Sequence, residues 1–154
     1  MQNNITASIK YGLFYNNELV SVMVIGKIKS PSKNNQSEYE LYRVCTKSGY
    51  IIDNGYIKLL DYFKEHNKWK SIIAYSQNDL SDNDIYENMK FAFVKNCDPD
   101  YCYYDRACCN KINKSNIKKY VNNKNGKTID ENAKLLGYLK CWNSGSKKYI
   151  MYNN

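Results

Sequence analysis

The stretch Ile51-Ile52-Asp53-Asn54-Gly55-Tyr56-Ile57-Lys58-Leu59-Leu60-Asp61-Tyr62-Phe63 decides how the chain is read. Gly49 and Gly55 bracket a short loop, and glycine lets a chain change direction at little steric cost. From Gly55 onward the apolar positions Ile57, Leu60, Tyr62 and Phe63 recur near a helical period, which predicts a helix over Tyr56 to His66. Upstream, Ser8 to Tyr15 and Glu18 to Ile28 are rich in β-branched and aromatic residues and are split by Asn16-Asn17. That pattern reads as a hairpin, because Asn accepts the positive φ of a tight turn. A polar loop over Lys29 to Gln36, with Ser30-Pro31-Ser32 inside it, leads to a third strand at Glu38 to Thr46. Downstream, Ser71 to Ser76 is a short apolar strand and Asp82 to Met89 a short helix, opened by Asp82, Asn83 and Asp84, whose side chains suit the free N–H groups of a helix start. Phe91 to Lys95 and Tyr101 to Tyr104 are further strands, joined through Asp98-Pro99-Asp100. This order predicts an α/β chain of the α+β kind, with a mixed, mainly antiparallel sheet and few helices.

The last third carries its own local signals. Thr128 and Glu131 have the spacing of a capping box and Gly137 can end the helix they start, so Ile129 to Leu136 is expected to be helical. Tyr138 to Trp142 and Lys147 to Tyr152 read as a hairpin across Asn143-Ser144-Gly145-Ser146. Between core and hairpin, Asn110 to Lys127 is a Lys/Asn-rich linker with one helical turn around Ile117 to Val121. The organisation expected is therefore a core over 1–106, a basic linker over 107–127 and a C-terminal helix and β-hairpin over 128–154, on or beside the core. A chain of 154 residues fits one domain with one core.

Composition removes several classes. The longest apolar runs, such as Leu19 to Ile25 and Ile57 to Leu60, are far short of the roughly 20 residues that cross a bilayer. Met1-Gln2-Asn3-Asn4 lacks the charged and then apolar start of a secretory signal, so the expected setting is intracellular, cytoplasmic and off the membrane. Charge is unevenly placed: 13 Lys/Arg and 13 Asp/Glu cancel from Met1 to Arg106, whereas ten Lys face only Asp130 and Glu131 from Ala107 to Asn154. All of the net +8 thus lies in the last third. A segment this basic lowers its electrostatic energy beside a polyanion, of which nucleic acid is the commonest; the alternative is a solvated basic face. The cysteines are Cys45, Cys97, Cys102, Cys108, Cys109 and Cys141. They form no CxxC pair and the one histidine, His66, is distant in sequence, so reduced thiols and no metal are expected, with a structural metal or a disulfide as the alternative. A single histidine also cannot supply an HNH-type nuclease site.

Four motifs in order carry a resemblance. Tyr39 to Cys45 (YELYRVC) looks like a strand "YELLRFC", and Ile51 to Phe63 like a glycine-glycine-x-x-lysine-leucine loop and helix. Ser71 to Phe91 (SIIAYSQNDLSDNDIYENMKF) matches without a gap a strand and helix ending in "LYEKLGF". Gly137-Tyr138, Trp142-Asn143, Gly145 and Lys148-Tyr149 look like a closing "GYYRIWDCGSYKF". Together they resemble the GNAT-like, acyltransferase-like module that accompanies phage and viral homing endonucleases, itself similar to the phage Mom DNA-modification proteins. The resemblance runs over nearly the whole chain from Ser8, and it implies a GNAT-like core that lacks the usual N-terminal strand and helices of such enzymes.

The resemblance also implies roles. In GNAT enzymes the loop before the main helix cradles the pyrophosphate of acyl-coenzyme A, since free N–H groups at a helix start attract anions. Carried onto this chain, the cofactor site would comprise Val44, Cys45, Asn54, Gly55 and Tyr56. Tyr86 aligns with the tyrosine that protonates the departing thiolate, and is expected to face a cleft between the strands ending near Cys45 and Ser76. Asn54 replaces one glycine of the pair, Asp53 adds a negative charge, Gln77 and Asn78 replace an aspartate and an arginine, and Asn83 and Lys90 replace two helix-flanking glycines. The apolar frame is kept while polar positions differ. Three functions are therefore open. The first is a GNAT-like scaffold of mobile-element or viral origin that binds nucleic acid, DNA without sequence preference, with eroded catalysis. Its contacts would be Lys111, Lys114, Lys118, Lys119, Lys124 and Lys127 on phosphates, with Tyr120 or Trp142 stacking on bases. The second is an active N-acyltransferase using acetyl-coenzyme A or another acyl-coenzyme A on a nucleobase or protein amine. The third is a structural or virion-associated protein reusing the fold.

Overall fold

The computed structural model describes residues 8–28, 39–79, 84–121 and 126–153. The expected loop over 29–36, the helix-opening Asp82 and Asn83, and Lys124 lie outside them. Asn16 and Asn17 adopt φ of 48° and 61°, turning β1 (Ser8–Tyr15) into β2 (Glu18–Lys27) with Tyr15 opposite Glu18. β3 (Tyr39–Thr46) pairs antiparallel with β2, its register shifting between Val24 and Ile25. β3 then feeds α1 (Gly55–His66), which returns the chain to β4 (Ser71–Gln77), parallel to β3. A parallel neighbour needs such a crossover, and α1 supplies it. α1 is amphipathic: Leu59, Leu60 and Phe63 are buried with Met23, Ile25, Tyr39 and Leu41, and the Phe63 ring meets Tyr39 edge-on at 5.0 Å. β4 is buried at Ser71, Ile72, Ile73, Ala74 and Ser76, the near-continuous burial of a strand inside a sheet.

After α2 (Asp84–Asn88) and β5 (Ala92–Cys97) the chain builds a second unit, and returns only with β9 (Ser146–Tyr152). The six-stranded sheet has the order β1-β2-β3-β4-β9-β5, and of its described pairings only β3–β4 is parallel. The first unit thus holds β1 to β5, α1, α2 and β9. The second, Gln77–Asp79 with Cys97–Ser146, holds β6 (Tyr101–Tyr104), β7 (Lys111–Asn113), a 3-10 turn at Ile117–Lys119, α3 (Ile129–Leu135) and β8 (Leu139–Trp142). Its sheet has the order β7-β6-β8, antiparallel throughout, and its own apolar cluster gathers Tyr103, Ile117, Val121 and Ala133. Length alone asks for one core; the described residues form two apolar clusters.

The α+β class holds, with a mostly antiparallel sheet and, among the described residues, three α-helices, the last of which, α3, is followed by two strands. Those two strands do not pair with each other as a hairpin, however: β8 joins β6 in one sheet and β9 enters the other between β4 and β5. The residues between them are committed elsewhere. The Asn143 backbone N–H donates to the Asp100 carbonyl at 2.9 Å, and Asn143 Oδ1 accepts from the N–H groups of Asp100 at 2.8 Å and Gly145 at 3.0 Å. Gly145 sits at φ 84°, and a Cβ there would lie 2.5 Å from the Cys97 carbonyl oxygen, so only glycine fits this crossing. The linker also contains a strand, β7, where one was not expected; Ile112 alone is apolar in Lys-Ile-Asn, and it lies opposite the buried Tyr103. Among the described residues no helix is long and apolar enough to cross a membrane.

Candidate functional site

In the first unit the loop before α1 is built around a strained corner. Asn54 is the N-cap of α1 in the left-handed region, φ 53°, and no side chain caps the helix. Gly55 opens α1 as expected and is buried; a Cβ on it would meet Ile52 Cγ2 at 2.8 Å and Leu13 Cδ1 at 3.4 Å. Its missing side chain therefore makes room for the protein's own apolar residues. Tyr56 Oη accepts from the Thr46 hydroxyl at 3.0 Å, tying the end of β3 to the helix start. Val44 is half-buried against the core, and the exposed Cys45 lends its carbonyl to the Ser21 hydroxyl at 3.1 Å. Ile52, Asn54, Gly55 and Tyr56 line a cavity of about 180 Å³ with Ile85, Asn88 and Met89 of the α2 segment. Gly55 faces the protein's own apolar residues, and the Asp53 carboxylate in the same loop lines a second cavity of about 390 Å³ together with Ile52 and Lys58.

Among the described residues β3 and β4 pair at Tyr39–Ile72, Glu40–Ile73 and Leu41–Ala74, and both strands run on beyond that pairing, to Thr46 and Gln77. Tyr86 lies over β4 and β9. Its ring stacks on Tyr149 of β9 at 5.2 Å and meets Phe91 edge-on at 6.0 Å, and its hydroxyl donates to the Tyr75 carbonyl of β4 at 3.3 Å. Burial, with Tyr149 beside it, pushes the phenol above its ordinary range. A phenol so held packs the α2 segment onto the sheet. That segment ends with Lys90 in the left-handed region, φ 66°, where the Lys90 N–H donates to Glu87 and the Phe91 N–H to Tyr86. This is the paired-bond helix stop that glycine usually makes.

The second unit distributes the expected lysines unevenly. Lys114 turns its ammonium to Asp100 at 2.6 Å and lies over the Tyr101 ring at 5.6 Å. Lys118 and Lys119 are exposed on the 3-10 turn, whose Ile117 is buried in the cluster flanked by Tyr101. Lys111 opposes Tyr104 in the β7–β6 ladder, so it projects from the sheet face away from Tyr103. Lys127 is exposed just before the α3 cap. Lys147 and Lys148 are part of β9 and belong to the first unit. The basic last third of the sequence is therefore divided between both units.

One constellation was only half legible in the sequence. Tyr101 pairs with Trp142 and Tyr103 with Lys140 across β6 and β8, placing all four on one face. The Tyr101 and Trp142 rings lie 4.8 Å apart, and the Lys140 ammonium sits 3.9 Å from the Tyr101 centroid and 5.2 Å from that of Trp142. Asp130 holds Lys140 at 2.5 Å and also accepts from the Tyr103 hydroxyl. These hydrogen bonds, from Lys140 first, keep the Asp130 carboxyl below the usual carboxylate range, while burial and Asp130 raise the Tyr103 phenol. Trp142 remains 61% exposed and Tyr120, nearby in the chain's basic segment, 56%. Trp142 and Tyr120 were expected as stacking residues; Tyr101 and Lys140 were missed. Their signal is the alternation Tyr-x-Tyr and Lys-x-Trp, which acquires meaning once the two strands are known to pair.

All six cysteines are free thiols, and among the described residues no three His, Cys, Asp or Glu side chains gather as a metal site would require. No protein-family model matches the chain, and a search of curated proteins returns no match.

Proposed function

We propose that this chain is a nucleic-acid-binding module on a GNAT-like scaffold of mobile-element or viral origin, with catalysis eroded. The observation that carries the reading is the exposed Trp142 beside Tyr101, Lys140 and Lys114, on the sheet face to which the lysine-bearing 3-10 turn adds Ile117. An aromatic face with flanking ammonium groups accepts bases by stacking and phosphates by charge, with little sequence preference. The GNAT-like ancestry is supported by two of the positions where the module carries glycine: Asn54 and Lys90 both adopt the left-handed conformation that glycine favours. It is supported too by the short parallel pairing of β3 and β4 around the α1 crossover.

Titration of Trp142 fluorescence with oligonucleotides tests the reading, because the other tryptophan, Trp69, is only 9% exposed. Affinity is expected to fall with salt with a log–log slope of about −0.7 per phosphate for single strands or about −0.9 for duplex. Replacing Lys118 and Lys119 with Ala flattens the slope by roughly one unit for each lysine in contact, and Trp142→Ala weakens single-strand binding by about 1–3 kcal/mol. Absence of binding at low salt would retire the proposal. An acyltransferase instead requires acyl-coenzyme A to bind, and the expected outcome with acetyl-coenzyme A is an unchanged melting temperature.

A further inference from the structure

We propose that Cys102 and Cys141 form a reversible disulfide, a modification site built into the β6–β8 ladder. The two residues are direct partners in that antiparallel pair, so their side chains leave the sheet on the same face. The Asn143 N–H to Asp100 C=O bond marks positions 100 and 143 as a hydrogen-bonded pair. Alternation along the ladder then makes Tyr101–Trp142 a non-bonded pair and Cys102–Cys141 a bonded one. Bonded pairs hold their Cα atoms about 5.5 Å apart, inside the Cα span of a disulfide, while their Cβ atoms, also about 5.5 Å apart, must close by about 1 Å, a strain that makes such a bridge easily reduced.

Both thiols are free, with Cys141 exposed and Cys102 half-buried, so a reagent meets Cys141 first. The Cys141 sulfur lies 4.0 Å from the Leu139 carbonyl, a weak contact that one χ1 rotation releases. The other close pair, Cys108–Cys109, is adjacent in sequence and held in a turn by the Asp105 carboxylate, which accepts the Cys109 N–H at 2.9 Å. Bridging neighbours would twist the planar peptide bond between them, whereas bridging Cys102 to Cys141 asks only a small inward shift of two paired strands.

The oxidant is a low-molecular-weight disulfide such as oxidised glutathione. The Cys141 thiolate attacks one of its sulfurs, breaking that S–S bond and releasing one thiol. The Cys102 thiolate then attacks Cys141 Sγ and expels the second thiol. Two electrons pass to the small disulfide, and the protons of the two cysteines end on the released thiols. The product clamps β6 to β8 and fixes the spacing of Tyr101 and Trp142.

The test is peptide mapping of the full chain after incubation in glutathione buffers of rising oxidised fraction, followed by alkylation. The expected result is a fall from six alkylatable thiols to four, with one dominant bridged peptide joining Cys102 to Cys141 in a monomer. Cys102→Ser and Cys141→Ser each remove that peptide. Wild-type chain in urea is the control that needs no folded variant: once register is lost, short loops such as Cys97–Cys102 close more easily than the long one, and the bridge is expected to disappear as the main product. Six alkylated thiols at every ratio, a dominant bridge between any other two cysteines, or the same 102–141 yield in urea overturns the proposal.

Discussion

Lys90 closes the α2 segment at φ 66°, and Asn54 enters α1 at φ 53°. Asn tolerates this region because its short side chain bonds locally; a lysine there pays the steric penalty of an L-residue, about 1–2 kcal/mol. Lys90→Gly is therefore expected to stabilise the first unit by about 1 kcal/mol, partly offset by the looser unfolded chain, and to raise the midpoint of urea unfolding. Gly55→Ala acts in the opposite sense. Its Cβ would press on Ile52 Cγ2 at 2.8 Å and Ile52 Cβ at 3.2 Å, and a β-branched neighbour has few rotamers in which to retreat. The expected loss is about 1–3 kcal/mol in urea melts, with or without acetyl-coenzyme A present. Local chemistry of this kind is what the sequence reveals best. Asn16-Asn17, Gly55 and the Thr128–Glu131 spacing each act through neighbours in the chain, whereas the surroundings of Tyr86 depend on Tyr149, which comes from a strand sixty-three residues later.

α3 is short and stands on its cap. The Thr128 hydroxyl accepts the Glu131 N–H at 3.2 Å, while the Glu131 carboxylate receives the Thr128 N–H at 2.7 Å. At the other end Gly137 and Tyr138 donate back to Lys134 and Ala133. Thr128→Ala is expected to cost about 1 kcal/mol, seen as faster amide exchange in Ile129–Leu135 with little change in α1. Element positions were legible because periodicity and caps are local, and most boundaries lie within a residue or two of the pattern. Partners were not. β6, β8 and β9 all have the composition of strands, but which sheet each joins is set by the Asn143–Asp100 bonds and by a close approach at Gly145 that no residue pattern announces. The candidate binding face has the same origin: Trp142 is visible in the sequence, its pairing with Tyr101 is not.

Taken as a whole, the chain is expected to fail unevenly in acid. In the second unit the carboxyls of Asp79, Asp100, Asp105, Asp130 and Glu131 are all held below their ordinary range, by hydrogen bonds from Ser144, Lys114, Asn110, Lys140 and the Thr128 backbone respectively. In the first unit the Lys47 bond lowers Glu18 while burial raises Glu40, so the two oppose each other. A depressed carboxyl stabilises the fold above its unfolded-state value and ceases to do so as pH falls through the folded one. Below about pH 4 the second unit is therefore expected to loosen first. Single-tryptophan variants separate the two: with Trp69→Phe the Trp142 signal should change at higher pH than the Trp69 signal does with Trp142→Phe. Coincident transitions would mean that the units unfold together.

β9 lies between β4 and β5, yet it is made only as the last residue of the second unit is reached. In the order of synthesis, the central sheet is begun early and closed late. While residues 97–145 are being produced, β4 and β5 each keep an edge that awaits a strand, and an open edge is a template for pairing with whatever extended chain arrives first. How quickly the intervening unit folds on itself thus sets how long the nascent chain is exposed to mispairing. The Asn143–Asp100 bonds form only once residue 143 has been made, and by bringing the chain to the point where β9 begins they close that interval.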